Sequence, residues 1–542
     1  MMHASALPAI FDTPVTRTYG TRLPVVAGGL QWLANAEYVS AAARAGIISF
    51  ITAASFPEMD DLRAEIRRCR ELCEGKPFGV NVSMLPKLVP GEKTEEVFRL
   101  IADEGVRFVE TSGRSPEAFM PILKDAGITV LHKVPSLRYA VKAEQMGVDM
   151  VSIVGAECGG HPGMDMVGSM VNAGLAEDRL TIPWLIGGGI GHGKQIMAAL
   201  VMGAAGVVMG TRFLVAGELT AHPDYKQAMV NASELDTQLT MQSVRNTVRS
   251  LRNHTTETVA RLERDNPEIG IQELLKHVSG KIGRQAYATG DVSQGLLSAG
   301  HALGFVDKVE PFAEITARLE AEALARSLVE TANAAGCKCT ALITDMNQPI
   351  AASLGNGLEI AEVMTALTCG QDTPLSKISA ALGAEVLLSV GLAETLDDGQ
   401  DRIRASLLDG TAVQRFGRMV AAQGGPKDFA DNWLDYLPKA PVQRMVPAPR
   451  SGFVAAMEGE ALGLAVVRLG GGRMVESDQI DPAVGISALP RLGAQIEKGA
   501  PLAVIHAASE TAAQEAEASL LQAISIGDIA PDVPPLVHER IS

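Results

Sequence analysis

The chain has 542 residues, a formal net charge of -16 and a pI near 5.2, with 47% hydrophobic and 20% charged residues. That length exceeds one ordinary core and calls for two or more domains of a globular protein. The global excess of acid argues against nucleic acid or another polyanion as partner.

In chain order, Met1–Gly20 mixes polar residues with prolines and carries no basic-then-apolar leader. From Pro24 to about Phe213, apolar runs alternate with charged amphipathic segments such as Asp60–Glu74 and Thr94–Glu104. The runs are Pro24–Gly29, Gly46–Ala54, Pro77–Met84, Phe108–Gly113, Ile128–Val134, Met150–Glu157, Ile182–Gly189 and Gly206–Phe213. Apolar strands followed by helices indicate a parallel sheet buried on both faces. Eight of them predict a closed (β/α)8 barrel. A doubly wound sheet is the competitor, but the first run ends GGLQW, without the glycine fingerprint that fold would place there. The longest apolar stretch, around Met197–Gly210, is short and broken by glycine, so no membrane span is expected. The expected compartment is the cytoplasm. Cys69 and Cys73 sit one helical turn apart, and Cys337 and Cys339 are separated by one residue. Neither pair has a second half at metal spacing, so reduced thiols and no metal are expected.

Unusual residues gather at the ends of these runs. Gly28, Gly29 and Gln31 follow the first, Asn81 and Ser83 end the third, Lys133 ends the fifth and His161 follows the sixth. Gly187–Gly189 end the seventh and Gly210–Thr211 the eighth. In a barrel all of these lie on the C-terminal face, where barrel enzymes keep their chemistry, with phosphate bound after the last two strands. IGGGIGHG, followed by the helical stretch Lys194–Leu200, offers amides and a helix N-terminus to an anion. His161 lies in VSIVGAECGGHPG (Val151–Gly163). Taken alone, that segment fits a histidine satisfied within a turn as well as an acid or base.

The stretches AGGLQW, KPFGVNVSMLP, VLHKVPS, GAECGGHPG, IGGGIGHG and GAAGVVMGTRF resemble the nitronate monooxygenase (2-nitropropane dioxygenase) family of FMN barrels. That family includes NADH:quinone reductases and flavin-dependent enoyl-acyl-carrier reductases. SVRNTVRSLRN and GKIGRQAYATGDVSQGLLSAG extend the resemblance to roughly Pro14–Ala325, and CGGHPG with SVRNT is most similar to the quinone reductase branch. The resemblance implies FMN with Gly29, Leu30, Gln31 and Gly159 at the ring, and Ser83 and Lys133 on polar atoms of the isoalloxazine or ribityl chain. It also implies phosphate held by Gly187, Gly188, Gly189, Gly210 and Thr211, and His161 facing the substrate as the catalytic residue. Gly300-His301 departs from the family's Gly-Gln.

Beyond the barrel, TALITDMNQPIAASLGNGLEIAEVMTAL, FGRMVAAQGGP, LGLAVVRLGGGR, IDPAVGI and PLAVIHA resemble thymidine phosphorylase over about Ala323–Ser542, the C-terminal half of that family. No counterpart of its phosphate loop or pyrimidine-binding residues precedes them. The expected organisation is therefore an FMN barrel over 1–322, a helical segment over 323–440 and a small α+β domain over 441–542. The leading function is FMN-dependent oxidation of nitronates with O2, or electron transfer from NAD(P)H to a quinone. The alternative is a pentosyltransferase with no evident catalytic half. Two further readings make the C-terminal half a dimerisation or docking module, or a fusion remnant.

Overall fold

The computed structural model describes residues 11–84 and 92–542; Met1–Ile10 and the Leu85-Pro86 end of KPFGVNVSMLP lie outside them. The chain forms two compact units, Met1–Ser327 and Leu328–Ser542.

In the first unit the eight predicted runs become eight strands. They are β1 (Val25–Ala27), β2 (Ile48–Thr52), β3 (Gly79–Met84), β4 (Phe108–Gly113), β5 (Thr129–Val134), β6 (Met150–Val154), β7 (Trp184–Gly187) and β8 (Gly206–Met209). They pair in parallel in sequence order, and β1 closes on β8. Most strands stop short of the predicted runs at their C-terminal ends. The surplus residues turn there: Gly188 and Gly189, for example, have φ of 101° and 73°, values that favour glycine.

Side chains alternate across a strand, so one parity faces the surrounding helices and the other the barrel axis. Val25, Ile51, Val80, Val109, Val130, Val151, Ile186 and Val207 join the outer core with the helices. Val26, Ile48, Phe50, Phe108, Leu131, Met150, Leu185 and Val208 form a separate inner cluster. Val15 and Tyr19 of the helix Pro14–Tyr19 belong to that cluster, and the Tyr19 ring meets Phe108 edge-on at 5.0 Å. The helix thus plugs the N-terminal end of the barrel with apolar side chains. A Cβ on Gly79 would run into the Phe50 ring, so glycine at β3 makes room for that ring.

The helix Met59–Leu72 buries Leu62, Glu65, Ile66 and Cys69 on one stripe. Cys69 and Cys73 are both buried, with their sulfurs 3.7 Å apart. After the barrel, the antiparallel pair β9 (Thr237–Thr240) and β10 (Val248–Leu251) leads into the helices His254–Asp265, Ile271–Val278 and Gly280–Thr289.

The second unit carries five helices between Asn356 and Tyr436 and then two three-stranded sheets. In one, Pro501–Ala507 lies between Val442–Pro447 and Gly485–Ser487; in the other, Gly452–Met457 lies between Gln495–Ile496 and Ile524–Gly527. Val446, Val454, Leu462, Ile505 and Leu520 form their core. The strand Ala341–Thr344 pairs antiparallel with Val537–Ile541, and Leu354 bridges to Ile486. These pairings tie the helical segment into the same unit as the sheets. Among the described residues, no helix is long and apolar enough to cross a membrane.

His132 faces outward on β5, 4% exposed, with its Nδ1 2.8 Å from Thr111 Oγ1. Burial lowers its pKa to about 4. The unfolded histidine titrates near ~6.5, so the stability contributed by the neutral ring is full above that pH and is lost as pH falls towards 4. The loss amounts to about 3 kcal/mol. Chemical denaturation between pH 7 and 4 should show this slope, and His132→Gln should flatten it.

Candidate active site

The C-terminal rim of the barrel is polar where the other end is apolar. One residue pair further along the same inward parity, β3, β4 and β5 place Asn81, Glu110 and Lys133 side by side. The Glu110 carboxylate is fully buried. Its Oε2 accepts from Asn81 Nδ2 at 2.5 Å and from Lys133 Nζ at 3.1 Å. Above it, Ser83 Oγ lies 2.9 Å from Ser112 Oγ and 3.3 Å from Asn81 Oδ1. Gly29 closes this group from β1: a Cβ there would lie 2.9 Å from Asn81 Cβ and 3.2 Å from Thr52 Oγ1. Leu30 leads on to the exposed Gln31.

Across the mouth, the loop after β6 carries CGGHPG and is pinned at both ends. Glu157 accepts the Ser169 amide and hydroxyl, capping the helix Ser169–Ala176. Gly160 exchanges two backbone hydrogen bonds with Arg249 of β10, at 2.9 and 2.7 Å. The Arg249 guanidinium also donates to the Ala156 carbonyl at 3.0 Å and to Thr237 Oγ1 at 3.1 Å. A Cβ on Gly163 would sit 2.6 Å from Pro135 Cβ, so the glycine lets this loop close on the one that follows Lys133. Gly159 lies against Ala299 and Gly300. With the loop fixed, the imidazole of His161 is exposed in the mouth and makes no hydrogen bond among the described residues. The surrounding protein lowers its pKa by desolvation, which favours the neutral ring. Burial pushes the neighbouring Cys158 thiol up to about 12, so it is no nucleophile at neutral pH.

Gly187 ends β7 and pairs with Val208 of the adjacent β8; Gly188 and Gly189 follow β7, and Gly210 and Thr211 follow β8. The amides of Gly188, Gly189 and Thr211 make no hydrogen bond among the described residues. Thr211 Oγ1 accepts from the Gly300 amide at 2.9 Å, and the His301 amide donates to Glu157 at 3.0 Å. The departure at Gly300-His301 therefore docks through backbone atoms that glutamine would also supply. The expected contribution of the next helix is corrected by the structure. Gly193–Val201 does begin there, but its N-terminal amides are already used. Gly193 donates to Glu322 Oε2, Lys194 to His192 Nδ1, and Gly191 and His192 to Gln195 Oε1. Among the described residues, the amides left without a hydrogen bond here are those of the two glycine loops.

Three side chains central to this arrangement were not signalled as functional by sequence. Glu110 is an acid in an apolar strand, a pattern that itself marks a group with a buried partner. Arg249 and Glu157 act only through contacts that folding creates. Thr52 Oγ1, Glu110 Oε1 and Ser152 Oγ are buried around the rim without a partner among the described residues. Such orphaned atoms are rare in folded proteins and suit a ligand rich in hydrogen-bonding groups. A cleft of about 110 Å³ beside Gln31, Trp32, Tyr287, Leu296 and Ser298 adjoins the mouth. At a few-fold below the ~300–1,000 Å³ of ordinary ligand sites, it is an annex to the mouth.

The family model for nitronate monooxygenase matches residues 12–322, and that for the pyrimidine nucleoside phosphorylase C-terminal domain matches residues 453–527. Among solved structures, FabK from Thermotoga maritima is 29% identical, with a TM-score of 0.54 over 60% of this chain and 99% of its own. A point variant of the same FabK gives 28% and 0.52 over 60% and 100%. A nitroalkane oxidase from Streptomyces ansochromogenes gives 24% and 0.48 over 56% and 96%.

If Arg249 holds the His161 loop, Arg249→Met should remove charge-assisted hydrogen bonds of about 1.5–3 kcal/mol. Amide exchange across residues 156–161 should accelerate about tenfold to a hundredfold, with the helix Gly193–Val201 unaffected. Unchanged exchange would show that the loop is held elsewhere.

Proposed function

Because the chain belongs to the nitronate monooxygenase family over its barrel, and is an oxidoreductase on that ground, we propose that the barrel binds FMN and uses it to oxidise a nitronate with O2 or to pass electrons from NAD(P)H to a quinone. The observation that carries this reading is the meeting, on one rim, of two glycine loops, a lysine and a histidine, with the loop amides and the imidazole making no hydrogen bond among the described residues.

The residues present suit FMN. Backbone amides of Gly188, Gly189 and Thr211, which make no hydrogen bond among the described residues, would hold the phosphate, with Gly187 and Gly210 adding no side chain there. Gly29, Leu30, Gln31 and Gly159 offer backbone and small surfaces to a flat ring. Ser83 and Lys133 supply a hydroxyl and an ammonium to its polar atoms. When bound, FMN supplies the two-electron redox chemistry that no side chain of this site can perform. The protein's part is to hold and move protons. His161, whose pKa desolvation lowers, can take a proton from a nitroalkane carbon or orient the anion, and in the quinone reaction can donate a hydrogen bond or proton to the acceptor. Arg249 and Glu157 hold the backbone of the loop that carries it, so the position of the general base is set by the loop.

In the second unit, Lys338, Arg473 and Glu359 do not replace the absent phosphate- and pyrimidine-binding residues, because each is hydrogen-bonded locally within the fold. Lys338 donates to the Ser389 carbonyl and Arg473 to the Asp478 carbonyl. Glu359 accepts the Gly355 amide and caps its own helix. The purified chain should release no thymine from thymidine and phosphate; phosphate-dependent release would revive the pentosyltransferase reading.

The phosphate site has a clean test at Gly210, whose φ of -118° suits any residue and whose Cβ would meet, among the described residues, Leu30 Cδ2 alone, at 3.8 Å. Gly210→Val should fold normally yet lower FMN affinity at least about tenfold (~1.4 kcal/mol) by occupying the anion's space. Gly188 is the poorer probe, because a Cβ there would strike Ser169 Oγ at 2.7 Å and the Gly155 backbone. Fluorescence titration of flavin-free protein reads the difference, and wild-type affinity in Gly210→Val would contradict the site.

His161→Ala should retain FMN but lose turnover by roughly two to four orders of magnitude. In the wild type, the acid limb of the pH profile should lie below the ~6.5 of a free imidazole. Stopped-flow separation of the half-reactions is the measurement, and wild-type rates in both would return His161 to a turn residue.

A further inference from the structure

We propose that Glu110 is a positioning residue that fixes the Lys133 ammonium at the rim and partly cancels its charge, thereby setting the reduction potential of the flavin held above it. The proposal rests on the FMN reading given above and deepens it.

Glu110 sits at the centre of β4 with no exposed surface, an uncommon place for a carboxylate. Its Oε2 is held from both sides, by Asn81 Nδ2 at 2.5 Å and by Lys133 Nζ at 3.1 Å. Strand register sets this geometry. Asn81 pairs with Glu110 across β3 and β4, and Glu110 pairs with Leu131 across β4 and β5, so Lys133 reaches back one inward step. Asn81 is itself 2% exposed and packed against Gly29, so it cannot swing away. Oε1 has no partner among the described residues. Here one oxygen holds the lysine and the other is left beneath the mouth.

Lys133 is 22% exposed at its side chain and Glu110 is not exposed, so the cation is the nearer of the two charges to anything seated in the mouth. At short range in a poorly screened site the nearer charge dominates, and the farther one subtracts from it. A reduced flavin is more negative than an oxidised one. The lysine therefore raises the reduction potential, and the glutamate holds that rise in check. Without Glu110 the lysine would also lose the acceptor that keeps its flexible stem in place.

The test is the midpoint potential of the FMN-loaded, full-length chain, measured by spectroscopic titration against reference dyes. Glu110→Gln preserves an acceptor for Asn81 and Lys133 while removing the charge, and should move the potential to more positive values. Lys133→Met should move it to more negative values. Glu110→Gln/Lys133→Met should fall between the two single variants. Opposite shifts of this kind are a signature of charge, whereas mere loosening of the rim would move both single variants the same way and overturn the proposal. The effect of the carboxylate is also read between Lys133→Met and the double variant, so loss of folding in Glu110→Gln alone leaves the measurement in place. An FMN-loaded Glu110→Gln protein with the wild-type potential, or no difference between Lys133→Met and the double variant, would overturn this proposal only. Failure of the unmodified chain to bind FMN at all would overturn the cofactor reading and this proposal with it.

Discussion

Closure of eight parallel strands imposes one constraint on everything else in the first unit: each strand must send alternate side chains into a space too small for water and too shared for independence. The two ends of that space are used in opposite ways. At the N-terminal end Phe50, Phe108, Leu131, Met150 and Leu185 close around Tyr19 in a dry cluster. One step further along the same parity, the side chains become Asn81, Glu110, Lys133 and Ser152. A carboxylate can be tolerated there because the barrel brings it an amide and an ammonium from the two flanking strands. The apolar plug closes the far end of the same space, while the β3–β4–β5 pairing aligns those three residues.

The loops inherit their positions from the same closure. With β6, β7 and β8 adjacent, the residues that follow them must meet, and the glycines among them let backbone approach backbone. A Cβ on Gly159 would lie 2.7 Å from the Ala299 carbonyl carbon and one on Gly187 3.1 Å from the Val208 carbonyl oxygen. The segment after the barrel completes the arrangement, as β10 grips Gly160 through Arg249 and Gly300 docks on Thr211. His161 is left exposed at the opening, its imidazole making no hydrogen bond among the described residues.

Much of this was legible before folding was considered. Strand order, barrel closure and the rim location of Lys133, His161 and the glycine pairs follow from runs of apolar residues and from what interrupts them. Those are local signals. Glu110 escaped because a lone acid in FVETSG has no partner in sequence; its partners come from register across three strands. The helix at Gly193 misled for the same reason. Its opening glycines look available to an anion, yet Glu322, more than a hundred residues away, supplies the carboxylate that caps it. Arg249 belongs to the same class of long-range contact. In the second unit, the pairing of Ala341–Thr344 with Val537–Ile541 joins stretches that sequence alone assigns to separate domains, because a strand's partner is not written beside it.

The central claim is that the rim is a flavin site within an oxidoreductase barrel. The most direct measurement is to denature the purified full-length chain and identify the released chromophore by chromatography and mass. The account predicts FMN, non-covalent, at one molecule per chain. A chain that releases no flavin and takes up none when refolded or incubated with FMN would contradict it.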